Sequence, residues 1–147
     1  MSDDEMRGFG QAIGRVLHGG EVIELVGDIG AGKTTLTKGI AMGLGVTEPV
    51  QSPTFTISRI YQTPNHVQLA HYDFYRLQDA GILSEEIAEM MQDERTVTVI
   101  EWAGAVDAVL PEDRLKIVIT STSETARQLD IVAGGSVSNR LKEELQL

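Results

Sequence analysis

The chain has 147 residues, of which 41% are apolar and 23% charged, a composition typical of soluble globular proteins. This length suits one domain over residues 1–147. No apolar run approaches the roughly 20 residues that cross a bilayer, and the lack of cysteine excludes disulfides and thiolate metal sites. Because the N-terminal sequence MSDDEM is not a basic-then-apolar leader, we expect a cytoplasmic protein with no membrane partner.

The charge of the chain is strongly acidic, with 12 basic and 22 acidic residues and a net charge of −10. Such a surface repels phosphate backbones over a Debye length of about 8–10 Å in physiological salt. Direct, high-affinity binding to RNA or DNA is therefore disfavoured, because that affinity comes largely from basic side chains at the phosphates. The alternative is that the acidity serves only solubility.

The first half of the chain predicts a helix, a strand and a second helix in that order. Ser2 and Glu5 have the spacing of a capping box, which predicts a first helix that ends before Gly19-Gly20. The run EVIELV at 21–26 predicts a buried strand. Apolar residues then recur at helical spacing through TLTKGIAMGL, and Gly45 is expected to end that helix.

The second half of the chain contains two predicted hairpins. The strands TFTISRIY (54–61) and HVQLAHYDFY (66–75) are expected to pair across the turn TPN. A helix capped by Ser84 leads into the strand TVTVIE (96–101). The remaining predicted elements are a short helix in AGAVDAVLP (103–111), a hairpin of RLKIVITS (114–121) and RQLDIVA (127–133), and a closing helix in SNRLKEELQL (138–147). This order predicts a three-layer α/β fold with a mixed parallel and antiparallel sheet.

The segment GDIGAGKT at 27–34 joins the first predicted strand to the second helix and matches the P-loop pattern G-x-x-x-x-G-K-[ST] in full. Glycines let successive backbone N–H groups converge on phosphate oxygens, and the helix N-terminus directs its dipole at the same anion. Lys33 would lie between the β- and γ-phosphates, the Thr34 hydroxyl would ligate Mg²⁺, and Thr35 would reach the α-phosphate. The residues predicted to bind nucleotide are Ile29, Gly30, Ala31, Gly32, Lys33, Thr34 and Thr35.

The alternative to a phosphate site is a Gly-rich turn that only links strand to helix. A chance match to the pattern somewhere in the chain is on the order of one per cent. The match also lies in the strand-to-helix context that the mechanism requires. Nucleotide binding and a P-loop NTPase-like fold are therefore the predictions.

Two carboxylates follow predicted strands and are candidates for the chemistry. Glu101 closes the apolar run VTVI, and the end of a buried strand is where a carboxylate would face a P-loop and help to hold Mg²⁺. The usual residue is Asp, and a solvent-exposed strand end is the alternative. Asp73, within HYDFYR, is expected to orient water or support the metal shell, with a surface turn as its alternative.

Three further features lie near these candidates in the sequence. Ser52-Pro53-Thr54 is either a switch-like loop that presents a hydroxyl to the γ-phosphate or a turn that leads into a strand. His71 has no second histidine at ligand spacing, which favours packing or hydrogen bonding over metal binding. Trp102 is expected to be partly buried beside Glu101 or to contact the nucleotide.

The segments GDIGAGKTTLTKGI, SPTFTI, HYDFYRL and VIEWAG, taken together, resemble the TsaE (YjeE) family. These are small bacterial ATPases needed for making threonylcarbamoyladenosine in tRNA. The resemblance covers nearly the whole chain, and the three segments after the P-loop make it specific. Family members often carry D-P-E-E-L between Arg76 and Glu101, where this chain has LQDAGILSEEIAEM.

The resemblance implies roles at the matching positions and a place in a larger system. ATP and Mg²⁺ would be the cofactors, with the TsaD and TsaB proteins as partners whose complex is reset by slow, partner-stimulated hydrolysis. The implied roles are phosphate and metal binding for Lys33, Thr34 and Thr35, the second metal carboxylate for Glu101, hydrolysis for Asp73, an active-site neighbour in Trp102, switch elements in Ser52 and Thr54, and contact with the base for Asp3.

Three rival functions share the P-loop. A small-molecule kinase would need an arginine-bearing lid, and the chain has no Arg-rich segment. A GTP-driven switch would carry an Asn-Lys-x-Asp guanine signature, which the sequence lacks. A nucleotide-gated scaffold without significant hydrolysis needs the same phosphate contacts as a slow ATPase, so the sequence does not separate these two.

Overall fold

The computed structural model describes residues 2–27, 32–50, 58–74, 83–102 and 109–146. In chain order the described elements are α1 (Asp3–Val16), β1 (Val22–Val26), α2 (Lys33–Leu44), β2 (Ser58–Gln62), β3 (Gln68–Asp73), α3 (Leu83–Gln92), β4 (Thr96–Glu101), β5 (Leu115–Ser121), β6 (Arg127–Ala133) and α4 (Ser136–Glu144). Within these ranges, no helix has both the length and the apolar character that crossing a membrane requires.

The strands form one mixed sheet in the order β2-β3-β4-β1-β5-β6. The four central strands run parallel, while β2 pairs with β3 and β6 with β5 as antiparallel hairpins. Both predicted hairpins and the mixed sheet are therefore confirmed. Because the central strands are parallel, β1, β3 and β4 all end at one edge of the sheet, which is where ligands bind in open α/β folds.

Helices cover both faces of the sheet and form the predicted three layers. Successive strand residues point to opposite faces, so Ile23 and Leu25 of β1 pack in the core that α1, α2 and α4 share. Val22 and Ile100 face the other way, into a smaller core with Ile87 of α3. The helix that follows the P-loop segment thus lies on the same sheet face as the odd-numbered residues of β1 and β4.

Glycines bring α1 and α2 into close contact. A Cβ built on Gly14 would lie 2.3 Å from the carbonyl oxygen of Ile40 and 2.8 Å from the Cα of Gly43. Gly10 lies one turn earlier on α1, and a Cβ built on it would lie 2.9 Å from the Cα of Gly39 in α2. Each helix thus presents two glycines four residues apart, and the backbones touch without intervening side chains. This contact fixes α2, whose first turn carries the predicted phosphate-binding residues, against α1.

Substitution of Gly14 by alanine is expected to destabilise the protein by about 2 kcal/mol, because the added methyl group must push the two helix backbones apart. Gly8→Ala is the matched control in the same helix, since a Cβ there meets no atom within 4 Å. We expect Gly8→Ala to be neutral or to stabilise by roughly 0.5–1 kcal/mol, because alanine is the better helix former. Urea unfolding of both variants measures the difference; equal stabilities would contradict the close contact.

The observed ends of the helices differ in detail from those predicted. The capping box is confirmed, since Glu5 N donates to Ser2 Oγ and Ser2 N to Glu5 Oε1, both at 3.2 Å. The hydrogen bonds from Ser2 lower the pKa of Glu5. Helix α1 ends at Val16, ahead of the glycines, because Leu17 is already extended. Helix α3 is described from Leu83, so Ser84 lies inside it rather than at its cap.

Of the last two predicted helices, one lies mostly outside the described residues and the other is confirmed with an earlier start. Residues 103–108, most of the helix expected in AGAVDAVLP, lie outside the described residues. Helix α4 begins at Ser136, two positions before the predicted start, because Asp113 supplies its cap from the loop before β5. The Asp113 carboxylate accepts hydrogen bonds from Val137 N and Ser138 N, each at 2.9 Å.

Candidate functional site

The P-loop segment connects the end of β1 to the start of α2 at the carboxyl edge of the sheet. Strand β1 ends at Val26 and helix α2 begins at Lys33, as the motif requires. Gly32 caps α2 with a φ of 106°, a left-handed conformation that favours glycine. The predicted amide donors Ile29, Gly30 and Ala31 lie outside the described residues, so their expected contact with phosphate stays a prediction.

Helix α1 contacts this segment directly. A Cβ on Gly32 would come within 2.8 Å of Met6 Cε and 3.0 Å of Met6 Sδ. Met6 is fully buried, so its side chain packs against the cap of α2. A side chain at position 32 would be strained by the left-handed backbone conformation and would require the end of the Met6 side chain to move.

Lys33 directs its ammonium group back across the P-loop segment. Its side chain is buried, and Nζ donates to the carbonyl oxygen of Gly27 at 2.5 Å. The same Nζ lies 4.1 Å from the centroid of the Trp102 ring, within the range of a cation–π contact. The Lys33 ammonium group thus links the end of the P-loop segment to its first residue, Gly27. This ammonium group is the one that the sequence predicts to bind phosphate.

Thr34 and Thr35 occupy the first turn of α2 and are both half-buried. Their position next to Lys33 is the one that the P-loop assignment requires. The same turn is stabilised from within, because Thr37 Oγ1 donates to the Lys33 carbonyl oxygen at 2.8 Å. The hydroxyl groups predicted to act on metal and phosphate therefore lie on a regular helical turn.

Asp73 and Glu101 lie side by side at the ends of β3 and β4. The two residues are direct Cα partners in the parallel pairing, and Leu25 of β1 is the partner of Glu101 on the other side. Because side chains alternate between faces, both carboxylates point to the face that α2 covers. Glu101 is buried, with 2% of its surface exposed, so the alternative of a solvent-exposed strand end is excluded for this residue.

His71 forms a buried hydrogen bond with Glu101. Its Nε2 lies 2.5 Å from Glu101 Oε2, and the His71 side chain is fully buried. A carboxylate only accepts hydrogen bonds when ionised, so we assign the proton of this bond to Nε2. The sequence indicated packing or hydrogen bonding for His71 but not its partner; the His-x-Asp spacing was the available signal, since it places His71 and Asp73 on one strand face.

Tyr72, between these two residues, points to the opposite face of the sheet. It packs in the core under α3, where its ring stacks on Phe74 with centroids 5.8 Å apart. Burial, with a smaller contribution from Glu86, raises the pKa of Tyr72 to about 12. The phenol therefore stays neutral at physiological pH and belongs to the core rather than to the site.

Trp102 follows Glu101 with an unusual backbone conformation. Its φ is 57°, in the left-handed region that bulky residues seldom adopt. This turn brings the half-buried indole over Lys33. The expected partial burial beside Glu101 is confirmed, and the ring contacts the P-loop lysine.

The other predicted site residues are Asp3, at the start of α1, and two residues that are not described. Asp3 begins α1 as an exposed residue, one turn before the Met6 that contacts Gly32. Ser52 and Thr54 lie outside the described residues, and their switch role stays a prediction. In the ranges that the structure describes, no group of three or more His, Asp or Glu side chains is arranged to hold a metal ion.

Comparison with known proteins shows the family of the chain. A family model described as "Threonylcarbamoyl adenosine biosynthesis protein TsaE" matches residues 1–129. The chain belongs to the TsaE family. The resemblance drawn from the four sequence segments is thereby confirmed, and the chain is placed in a family of tRNA threonylcarbamoyladenosine biosynthesis.

Individual relatives support the same assignment. The TsaE protein of Bacillus subtilis is 42% identical over 130 residues, which cover 86% of this chain and 78% of the relative. The TsaE protein of Streptomyces coelicolor is 34% identical over 135 residues, covering 88% of this chain and 91% of the relative. The crystal structure of Bacillus subtilis YdiB superposes with a TM-score of 0.80 at 33% identity, over 99% of this chain and 90% of that one. The predicted P-loop-type α/β fold is therefore confirmed.

Proposed function

We propose that this protein binds ATP, hydrolyses it slowly, and supports formation of threonylcarbamoyladenosine in tRNA by acting on a TsaD–TsaB complex. The observation that carries the proposal is the placement of Lys33 and Glu101. The buried Lys33 begins α2, the helix that follows β1, and the buried Glu101 ends β4, the strand parallel to β1. Trp102, the residue after Glu101, lies over the Lys33 ammonium group. Family membership supports the role in tRNA modification.

Nucleotide binding rests on the first turn of α2. The helix N-terminus supplies partial positive charge, and Lys33 adds a full charge where the β- and γ-phosphates would lie. In the structure this ammonium is held by a carbonyl oxygen and an aromatic face, at Gly27 and Trp102. Phosphate oxygens are stronger partners for a cation than either group, because their hydrogen bonds are charge-assisted on both sides.

Magnesium would be held by Thr34 and Glu101, together with phosphate oxygens and water. These donors fit the ion, because Mg²⁺ prefers oxygen ligands and usually keeps several waters rather than an all-protein cage. When bound, the ion would neutralise charge on the phosphates. The ion would place an opposite charge beside the buried carboxylate of Glu101.

Asp73 would orient the attacking water. It is the direct neighbour of Glu101 across the strand pair and points to the same face. Segments 27–35 and 96–102 contain no arginine, and an arginine finger is worth roughly 10³–10⁵ in rate in related reactions. Intrinsic hydrolysis is therefore expected to be slow, with the missing stabilisation supplied by the partner complex.

The acidic surface favours a protein partner over direct contact with tRNA. A net charge of −10 opposes the neutralisation of phosphates on which RNA affinity depends. Docking on the TsaD–TsaB synthase avoids this cost, and hydrolysis would then reset that complex between rounds of modification. If the protein were a small-molecule kinase, its product would be a phosphorylated small molecule. If it were a nucleotide-gated scaffold, it would bind ATP without hydrolysing it.

The test is release of inorganic phosphate from Mg·ATP by the purified full chain, with and without TsaD–TsaB. We expect slow release alone and at least a tenfold rise with the partners. TsaD–TsaB without this protein is the control for background hydrolysis. Identical rates with and without the partners would contradict partner stimulation, and binding without any release would favour the scaffold.

A further inference from the structure

The hydrogen bond between His71 and Glu101 is a buried polar contact of this site that the proposed reaction does not use. Both side chains are buried, at 0% and 3% exposure, and their atoms Nε2 and Oε2 are 2.5 Å apart. The bond joins a ring nitrogen of β3 to one carboxylate oxygen of β4 and so attaches the Glu101 side chain to the neighbouring strand.

The strand register explains why this pair forms. His71 is the Cα partner of Val99, and Glu101 lies two residues further along β4 on the same face. The pair is therefore a diagonal neighbour contact across adjacent strands, which long side chains can reach. Asp73, also two residues beyond His71, completes a row of three polar side chains on the face that α2 covers.

We propose that His71 is a positioning residue that holds the Glu101 carboxylate for the metal ion. This inference rests on the proposed function. A glutamate side chain has three rotatable bonds, and ordering it costs conformational entropy. His71 fixes Oε2 in advance and leaves Oε1 as the oxygen directed to the cation or its water. Loss of such a second partner typically weakens metal affinity by roughly 10–100-fold.

The chemistry of the imidazole suits this task. Nε2 donates to the carboxylate, and Nδ1 has no hydrogen-bond partner among the described residues. The ring is therefore tied to Glu101 alone rather than to a longer polar network. If the bond had only a structural role, its loss would lower the stability of the fold and leave the metal affinity of the site unchanged.

The test measures Mn²⁺ binding, by electron paramagnetic resonance, to the full chain saturated with a non-hydrolysable ATP analogue. His71→Leu and His71→Asn remove the bond, the second because its amide is too short to reach Glu101. His71→Gln is longer and rebuilds a donor. We expect Mn²⁺ affinity to fall 10–100-fold for the first two and to stay within about threefold of wild type for His71→Gln.

Two controls separate this effect from general damage. His66→Asn changes an exposed histidine in the β2–β3 turn and is expected to leave Mn²⁺ affinity unchanged; asparagine tolerates the φ of 62° at that position. Affinity for the analogue in EDTA should stay within twofold in every variant, because the bond that is changed is to the proposed metal carboxylate and no metal is present in this measurement. Thermal melting reports which variants fold, and if His71→Leu does not, His71→Asn decides.

The outcomes distinguish the two proposals. If wild type binds no triphosphate, the proposed function fails. If wild type binds it and the folded His71→Leu and His71→Asn variants keep wild-type Mn²⁺ affinity, the positioning role is overturned and the bond serves stability alone. A selective loss of Mn²⁺ affinity that His71→Gln restores supports the positioning role.

Discussion

Lys33→Ala is expected to weaken ATP binding about 10–100-fold and to lower turnover by roughly 10²–10³. The physical reason is that the ammonium group is the only full positive charge that the P-loop segment places at the phosphates, and hydrogen bonds to charged groups contribute about 1.5–3 kcal/mol. The loss in turnover exceeds the loss in binding because charge builds up on the phosphate oxygens as the bond breaks. Calorimetry with ATP and ADP, together with phosphate release, measures both effects.

Lys38→Ala is the matched control for this change. Lys38 lies on the same helix, five positions further on, and its side chain is exposed. Both variants lose one positive charge from α2, so general electrostatic effects cancel in the comparison. If the two variants bound ATP equally, the P-loop assignment of Lys33 would be wrong and the ATPase proposal would lose its main support.

Glu101→Gln is expected to reduce Mg²⁺-dependent turnover by roughly 10²–10³ while metal-free nucleotide affinity stays within about twofold. Glutamine keeps the shape of the side chain and can still accept the hydrogen bond from His71, so the packing is preserved. What it removes is the negative charge, which is the property that a magnesium ligand needs. Phosphate release as a function of Mg²⁺ concentration measures the effect.

Glu94→Gln provides the comparison, since this exposed glutamate lies in the turn just before β4. It makes the same change in charge without touching the site and should leave turnover unaltered. An active Glu101→Gln enzyme with normal Mg²⁺ dependence would remove Glu101 from the metal shell. The remaining candidate among the described carboxylates of this edge would then be Asp73.

Local patterns in the sequence were enough to predict most of the fold. The capping box at Ser2 and the runs of β-branched residues between turns are short-range signals, and β4 and β6 coincide with their predicted ranges. The start of α4 was missed because its cap, Asp113, is more than 20 positions away in the chain. No local pattern reports a hydrogen bond that only the folded sheet creates.

In the candidate site too, residue positions that depend on contiguous sequence could be predicted, whereas contacts that depend on the pairing of strands could not. The P-loop pattern predicted that Lys33 begins a helix after the first strand, because the motif is contiguous, and the end of a buried strand predicted the position of Glu101. Their roles stay predictions. The bond between His71 and Glu101 could not be predicted, since it depends on which strands are neighbours and in what register. The contact between Lys33 and Trp102 likewise depends on a left-handed turn at a tryptophan, which residue preferences argue against.

The left-handed turn at Trp102 affects how ligand binding to this protein can be measured. The chain contains one tryptophan, and its indole stands over the ammonium group of the P-loop lysine. Indole emission from this protein therefore originates beside Lys33, with no contribution from a second indole. If a nucleotide binds at the P-loop as proposed, the intrinsic fluorescence of the unlabelled chain is expected to change, so an optical titration needs no attached dye.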